Sequence, residues 1–225
     1  MADFYYDTAH LLGALVLLTS FGLLYQRRLF ALLNVFATQA FVLAAAAAWQ
    51  AFIHGEPHLY ITALLALSLK AIVIPVALHR IILRLEIPRA VDSALGVGMT
   101  MVIGVSLVTL SILLVMGVTS GAAALTREDL ASALSVVLLG LLMMITRRNA
   151  VSQVIGFMSL ENGLILAAIG VEGMPLVVEM SVAFAVMVAF IVFGIFFFHI
   201  RERFDTLDLQ NLETFRGERE ERPWS

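Results

Sequence analysis

Long unbroken runs of apolar residues, separated by short polar breaks, dominate this chain. Seven runs stand out, at 9–25, 29–53, 59–83, 93–117, 129–146, 149–171 and 174–199. Charge, proline or glycine bounds each of them, as in His54-Gly-Glu-Pro-His58 and Val171-Glu-Gly-Met-Pro175. About 20 apolar residues in a helix cross the hydrocarbon core of a bilayer. The runs are continuous and do not alternate, and an open sheet edge cannot be left unpaired in lipid, so strands are not expected. The pattern predicts an all-α integral membrane protein of about seven transmembrane helices.

Composition points the same way. Of 225 residues, 61% are hydrophobic and 14% charged, with a mean hydropathy of +0.97. A soluble domain carries about 25% charged residues, so most of this chain has lipid as its solvent. The charges also give a direction. Arg27, Arg28, Arg80, Arg84, Arg89, Arg147, Arg148, Arg201 and Arg203 fall in every second loop and the C-terminal tail, whereas the opposite loops hold only Arg127, with His54 and His58. By the positive-inside rule the N-terminus is expected outside and the C-terminus in the cytoplasm. Asp3 and Asp7 precede the first run and Arg27 and Arg28 follow it, the reverse of a signal peptide, so that run is expected to be retained.

The absence of cysteine excludes disulfides, thiolate zinc sites and cysteine-held iron–sulfur clusters. No phosphate-binding loop, metal-ligand spacing or catalytic triad appears, so no catalytic residue, metal or other cofactor is expected on this chain, and no nucleic-acid partner. His54 and His58 stand four apart, but Pro57 lies between them and no third ligand is near.

The chain also resembles itself. A shift of 120 positions lays Arg27-Arg28 on Arg147-Arg148 and His79 on His199 without a gap. Helices 1–3 then form one copy and helices 5–7 a second. Three crossings reverse orientation, so helix 4 is the extra crossing that restores it, and its Gly96, Gly98, Gly104, Ser106 and Ser111 suit close packing. The resulting division is 1–89 for an N-terminal half, 90–120 for a linker helix, 121–201 for a C-terminal half and 202–225 for a cytoplasmic tail. That tail reads either as disordered or as a strap docking on a neighbouring subunit.

Polar groups inside the apolar runs are the candidate chemistry, because a charge at the bilayer centre costs roughly 2.5–3.5 kcal/mol on insertion scales. Glu161 lies about twelve residues into helix 6, within Ser159-Leu-Glu-Asn-Gly163. It reads as a proton-loading carboxyl, or as a protonated glutamate making one interhelical hydrogen bond. Lys70, the sole lysine, is in the middle of helix 3 with Pro75 five residues on. Proline frees a backbone carbonyl near Ala71 and breaks the helix locally. Lys70 reads as a relay group, as one half of a salt bridge to a partner subunit, or as both. Glu179 lies one turn into helix 7, as a path exit or a hydrated interfacial group. His79 and His199, near helix ends, read as anchors or relays. Asn34 and Gln39 either make helix–helix contacts or extend a hydrophilic line.

Helices 5–7 resemble the small K subunit of respiratory complex I. The matching pieces are Arg147-Arg148, the stretch NAVSQVIGFMSLENGLILAAIG around Glu161, and the terminal FFFHIRERF. With an N-terminal half of similar plan, the whole chain is similar to the hydrogenase-4 component E family. The resemblance implies a non-redox subunit of a hydrogenase-type, complex-I-like assembly in a bacterial or archaeal cytoplasmic membrane. It implies antiporter-like and other small membrane subunits as partners beside lipid, with a soluble redox module reached indirectly. Intramembrane charges would then serve proton or cation translocation, with Glu161 in the role of the K-subunit glutamate of helix 2. The second K-subunit glutamate has no clear match, since residues 187–190 are Met187, Val188, Ala189 and Phe190. Two further readings are a small subunit of a multi-subunit cation/proton antiporter and a purely structural membrane spacer.

Overall fold

The computed structural model describes residues 2–84, 90–91, 93–118 and 124–170, all within one compact unit, Met1–Ala185. The apolar runs in this stretch are helices: α1 (Ala2–Tyr25), α2 (Leu29–His54), α3 (Pro57–Leu65), α4 (Ile74–Arg84), α5 (Val97–Val118), α6 (Ala124–Thr146) and α7 (Ala150–Gly170). Between α3 and α4 the chain continues as a π-helix, Ala66–Val73, so that Pro57–Arg84 forms one long span. Six spans among the described residues are long and apolar enough to cross a membrane, the build of a multi-pass membrane protein. The seventh expected run, 174–199, and the tail lie outside the described residues.

Helix α2 is the hub, packing against α1, α7 and all three parts of the third span. On its other side α1 meets α6, and α6 carries α5. The tightest seam joins α6 to α7. A Cβ on Gly140 would come within 2.5 Å of the Leu160 backbone nitrogen, and one on Gly163 within 2.8 Å of the Val137 nitrogen. Between helices that share a lipid solvent, close backbone approach replaces the hydrophobic effect as the attraction. Gly140→Ala is therefore expected to wedge this seam and to lower stability by about 1–3 kcal/mol, read as an earlier midpoint in detergent-induced unfolding. Gly13→Ala, with no atom within 4 Å of the added carbon, should leave the midpoint unchanged.

The arginine-bearing turns gather at one end of the bundle. Residues 90–94 run between them: the Val91 N–H donates to the Arg27 carbonyl and the Ala94 N–H to that of Thr146, each at 2.8 Å. α1 has no basic residue in its last turn. Arg147, at the end of α6, supplies one, its Nη2 donating to the carbonyls of Leu24 at 2.6 Å, Gln26 at 2.9 Å and Leu23 at 3.3 Å. A cation there satisfies carbonyls that the helix itself cannot and opposes the macrodipole. Burial, and after it the charge of Arg27, hold the Arg147 guanidinium below its ordinary range. An arginine so held is still a cation.

Candidate functional site

The site is set by the break in the third span. Its π segment is wound with five-residue spacing, the Ile74 N–H reaching the Leu69 carbonyl. The next donor along that ladder would be Pro75, which has none. The expected disruption by Pro75 thus takes the form of a widened turn, and Lys70 sits inside it. Single π turns inside α-helices occur often at functional sites.

Lys70 is only 3% exposed and Glu161 on α7 only 1%. The Lys70 Nζ lies 3.2 Å from Glu161 Oε2 and donates to Asn162 Oδ1 at 2.9 Å. The two candidate charges therefore face each other within one chain. This pairing offsets most of the cost of holding either ion away from water.

The polarity of the surrounding hydrogen bonds follows from the lysine. An ammonium only donates, so the Asn162 carbonyl oxygen must face it and the Asn162 amide must point away. That amide donates to Gln39 Oε1 on α2 at 3.2 Å. Gln39 Nε2 in turn donates to Ser20 Oγ on α1 at 2.7 Å and to Ser159 Oγ on α7 at 3.0 Å, and the Ser20 hydroxyl donates to the Val16 carbonyl at 3.0 Å. Gln39, Asn162 and Ser159 are fully or almost fully buried. One continuous hydrogen-bonded chain runs from Lys70 across the bundle to α1, and each bond in such a buried chain polarises and strengthens the next.

Other sequence candidates fall elsewhere. His79 is exposed on α4, its ring 4.7 Å from that of Phe30, nine residues past Lys70 and so roughly 13 Å along the helix. Asn34 is exposed and does not extend the line, whereas Gln39 does. Gln153 donates to the Arg147 carbonyl at 2.9 Å and belongs to the basic end. Glu179 and His199 lie outside the described residues. Among the described residues no three His, Asp or Glu side chains converge on a metal position.

Two groups not singled out from sequence also meet. His10 Nδ1 on α1 is 2.9 Å from Asp129 Oδ1 on α6, half-buried toward the end of the bundle opposite the arginines. A signal was available, since the 120-residue shift places Asp129 on Ala9, next to His10.

A protein of Mycobacterium tuberculosis (strain ATCC 25618 / H37Rv), described as uncharacterized protein Rv0085, is 29% identical over 206 residues, which is 91% of this chain and 93% of that protein. No family model matches the chain, and no solved structure does either.

Proposed function

We propose that this protein is a non-redox membrane subunit of a hydrogenase-type, complex-I-like assembly, contributing Lys70 and Glu161 to proton translocation driven by redox chemistry on other chains. One observation carries the reading: a lysine and a glutamate form a buried ion pair at mid-span, joined to a hydrogen-bonded chain of neutral polar groups. A spacer built only to fill the membrane gains nothing from two charges there, since an apolar pair of similar volume is as stable or more so. A proton arriving at Glu161 neutralises it and releases Lys70 from the pair, and its departure restores the pair.

The proposed layout is two three-helix copies joined by α5, with the arginine-bearing end in the cytoplasm of a bacterial or archaeal cell. Support comes from the Gln39–Ser159 hydrogen bond, which joins positions 120 apart. Residues that coincide under a repeat meet at the axis relating the copies, and Asn162–Gln39 and Arg147–Gln26, 123 and 121 apart, lie close to it.

The test is isolation of the native complex through this chain. A hydrogenase-type large subunit and antiporter-like membrane subunits are expected to accompany it. In vesicles, Glu161→Gln is expected to abolish proton movement coupled to electron transfer while the complex still assembles. Isolation with antiporter subunits and no redox partner would assign the chain to a cation/proton antiporter instead. Unchanged coupling in Glu161→Gln would sink the role of the pair.

A further inference from the structure

The polar chain at mid-span and the His10–Asp129 pair lie on one column between α1, α2, α6 and α7. On α2, Gln39 and Gln50 are eleven residues apart, three helical turns and roughly 16 Å, and so share a face. Gln50 and Asp129 line a cavity of about 10 Å³ with Ala9, Ala46, Leu166 and Ile169. That is close to the room one water needs, with two polar groups to hold it. Along the column toward Gln39 stand buried apolar side chains of one packed cluster, Val16, Leu43, Ala133, Val136, Ile165 and Leu166. α1 and α2 share one order, polar then apolar then polar: Ser20, Val16 and His10 on α1, and Gln39, Leu43 and Gln50 on α2; on α6 the apolar Val136 and Ala133 lead to Asp129.

We infer that His10 and Asp129 form a proton-exchange station at the end of the bundle where α1 begins, serving Glu161 through the column whenever the apolar plug between them hydrates. Beyond the Nδ1 contact to Asp129, His10 Nε2 is buried with no hydrogen-bond partner among the described residues. Charged neighbours along the chain are Asp7 on α1 and Glu128 on α6, both exposed, with Arg127 next to Glu128. Among the described residues lining the cavity, α2 contributes the neutral Gln50 with Ala46, and α7 contributes Leu166 and Ile169. In the step itself a proton leaves the Asp129 carboxyl, crosses a transient file of water and adds to the Glu161 carboxylate. Lys70 keeps its hydrogen bond to Asn162 throughout. A closed plug isolates the two stations, so the column is a gate and not an open channel.

The inference rests on the proton role of Glu161, and the experiment separates the two. The complex isolated through the full-length chain is reconstituted with one orientation. Proton uptake at Glu161 is then followed by its infrared carboxyl band, identified by its loss in Glu161→Gln, after a pH step on the face where α1 begins. Asp129→Asn and Leu43→Phe are each expected to slow uptake at least tenfold, and Leu43→Ser to speed it by a similar factor. A step on the arginine face should be insensitive to all three. If Asp129→Asn does not assemble, the two Leu43 variants decide alone. Unchanged rates in these variants, or uptake from the arginine face only, overturn the station and leave the role of Glu161 standing. No uptake from either face overturns both.

Discussion

Replacing Lys70 with methionine is expected to lower the stability of the bundle by about 3–5 kcal/mol, the usual effect of removing one partner from a buried ion pair. Glu161 would keep its 1% exposure without the ammonium 3.2 Å away, and Asn162 Oδ1 would lose the donor it accepts from. The Asn162 amide would then be held by its donation to Gln39 Oε1 and no longer by an ammonium on its oxygen side. The double variant Lys70→Met/Glu161→Met is expected to recover most of that stability, since neither charge remains to be compensated. Coupled proton movement should be absent in both. Detergent-induced unfolding midpoints measure the first effect and vesicle acidification the second. A double variant that pumps normally would show that the pair is only structural, and a double variant no more stable than the single would show that the two residues do not interact.

The other large effect belongs to Arg147. Arg147→Met should cost about 3 kcal/mol, because the Leu23 and Leu24 carbonyls lose a charged donor and stay buried at about 1–3 kcal/mol each. Arg148→Ala, one residue on and exposed, should change the midpoint by less than about 0.5 kcal/mol. Both arginines serve the positive-inside bias equally, so a difference between them isolates the capping of α1 from topology. If the two variants behave alike, the cap contributes nothing measurable.

Much of this architecture was readable in advance, for a simple reason. In lipid each span must satisfy its own backbone and be apolar along most of its length, so run length alone marks α1, α2, α5, α6 and α7 to within a few residues at most boundaries. The ends reach further than the apolar runs where polar residues continue a helix, as in Ala2–Tyr25 against the expected 9–25. Lys70 and Glu161 were conspicuous because ions at that depth are expensive. Their meeting was not legible, because it depends on how the third span leans across α2 toward α7, and apolar patterning carries little information on rotation about a helix axis. Arg147 was hidden by its neighbour. Two adjacent arginines look alike in a loop, and only packing buries one and exposes the other. The π segment likewise follows from Pro75 only as a disturbance of some kind, and its width is a tertiary outcome.

The separation of the paired charges along the chain has a consequence for biogenesis. Asn162 lies 92 residues beyond Lys70, with Glu161 beside it. At synthesis rates of about 5–20 residues per second, the third span is made roughly 5–20 s before its counterpart exists. During that interval the nascent hairpin carries a lysine with no acid to meet it, at a depth where lipid tolerates it poorly. The insertion machinery must therefore retain the third span, or shield it, until α7 emerges. Ribosome-bound chains halted before residue 161 should crosslink to the translocon through the third span, and chains halted well beyond α7 should have left it.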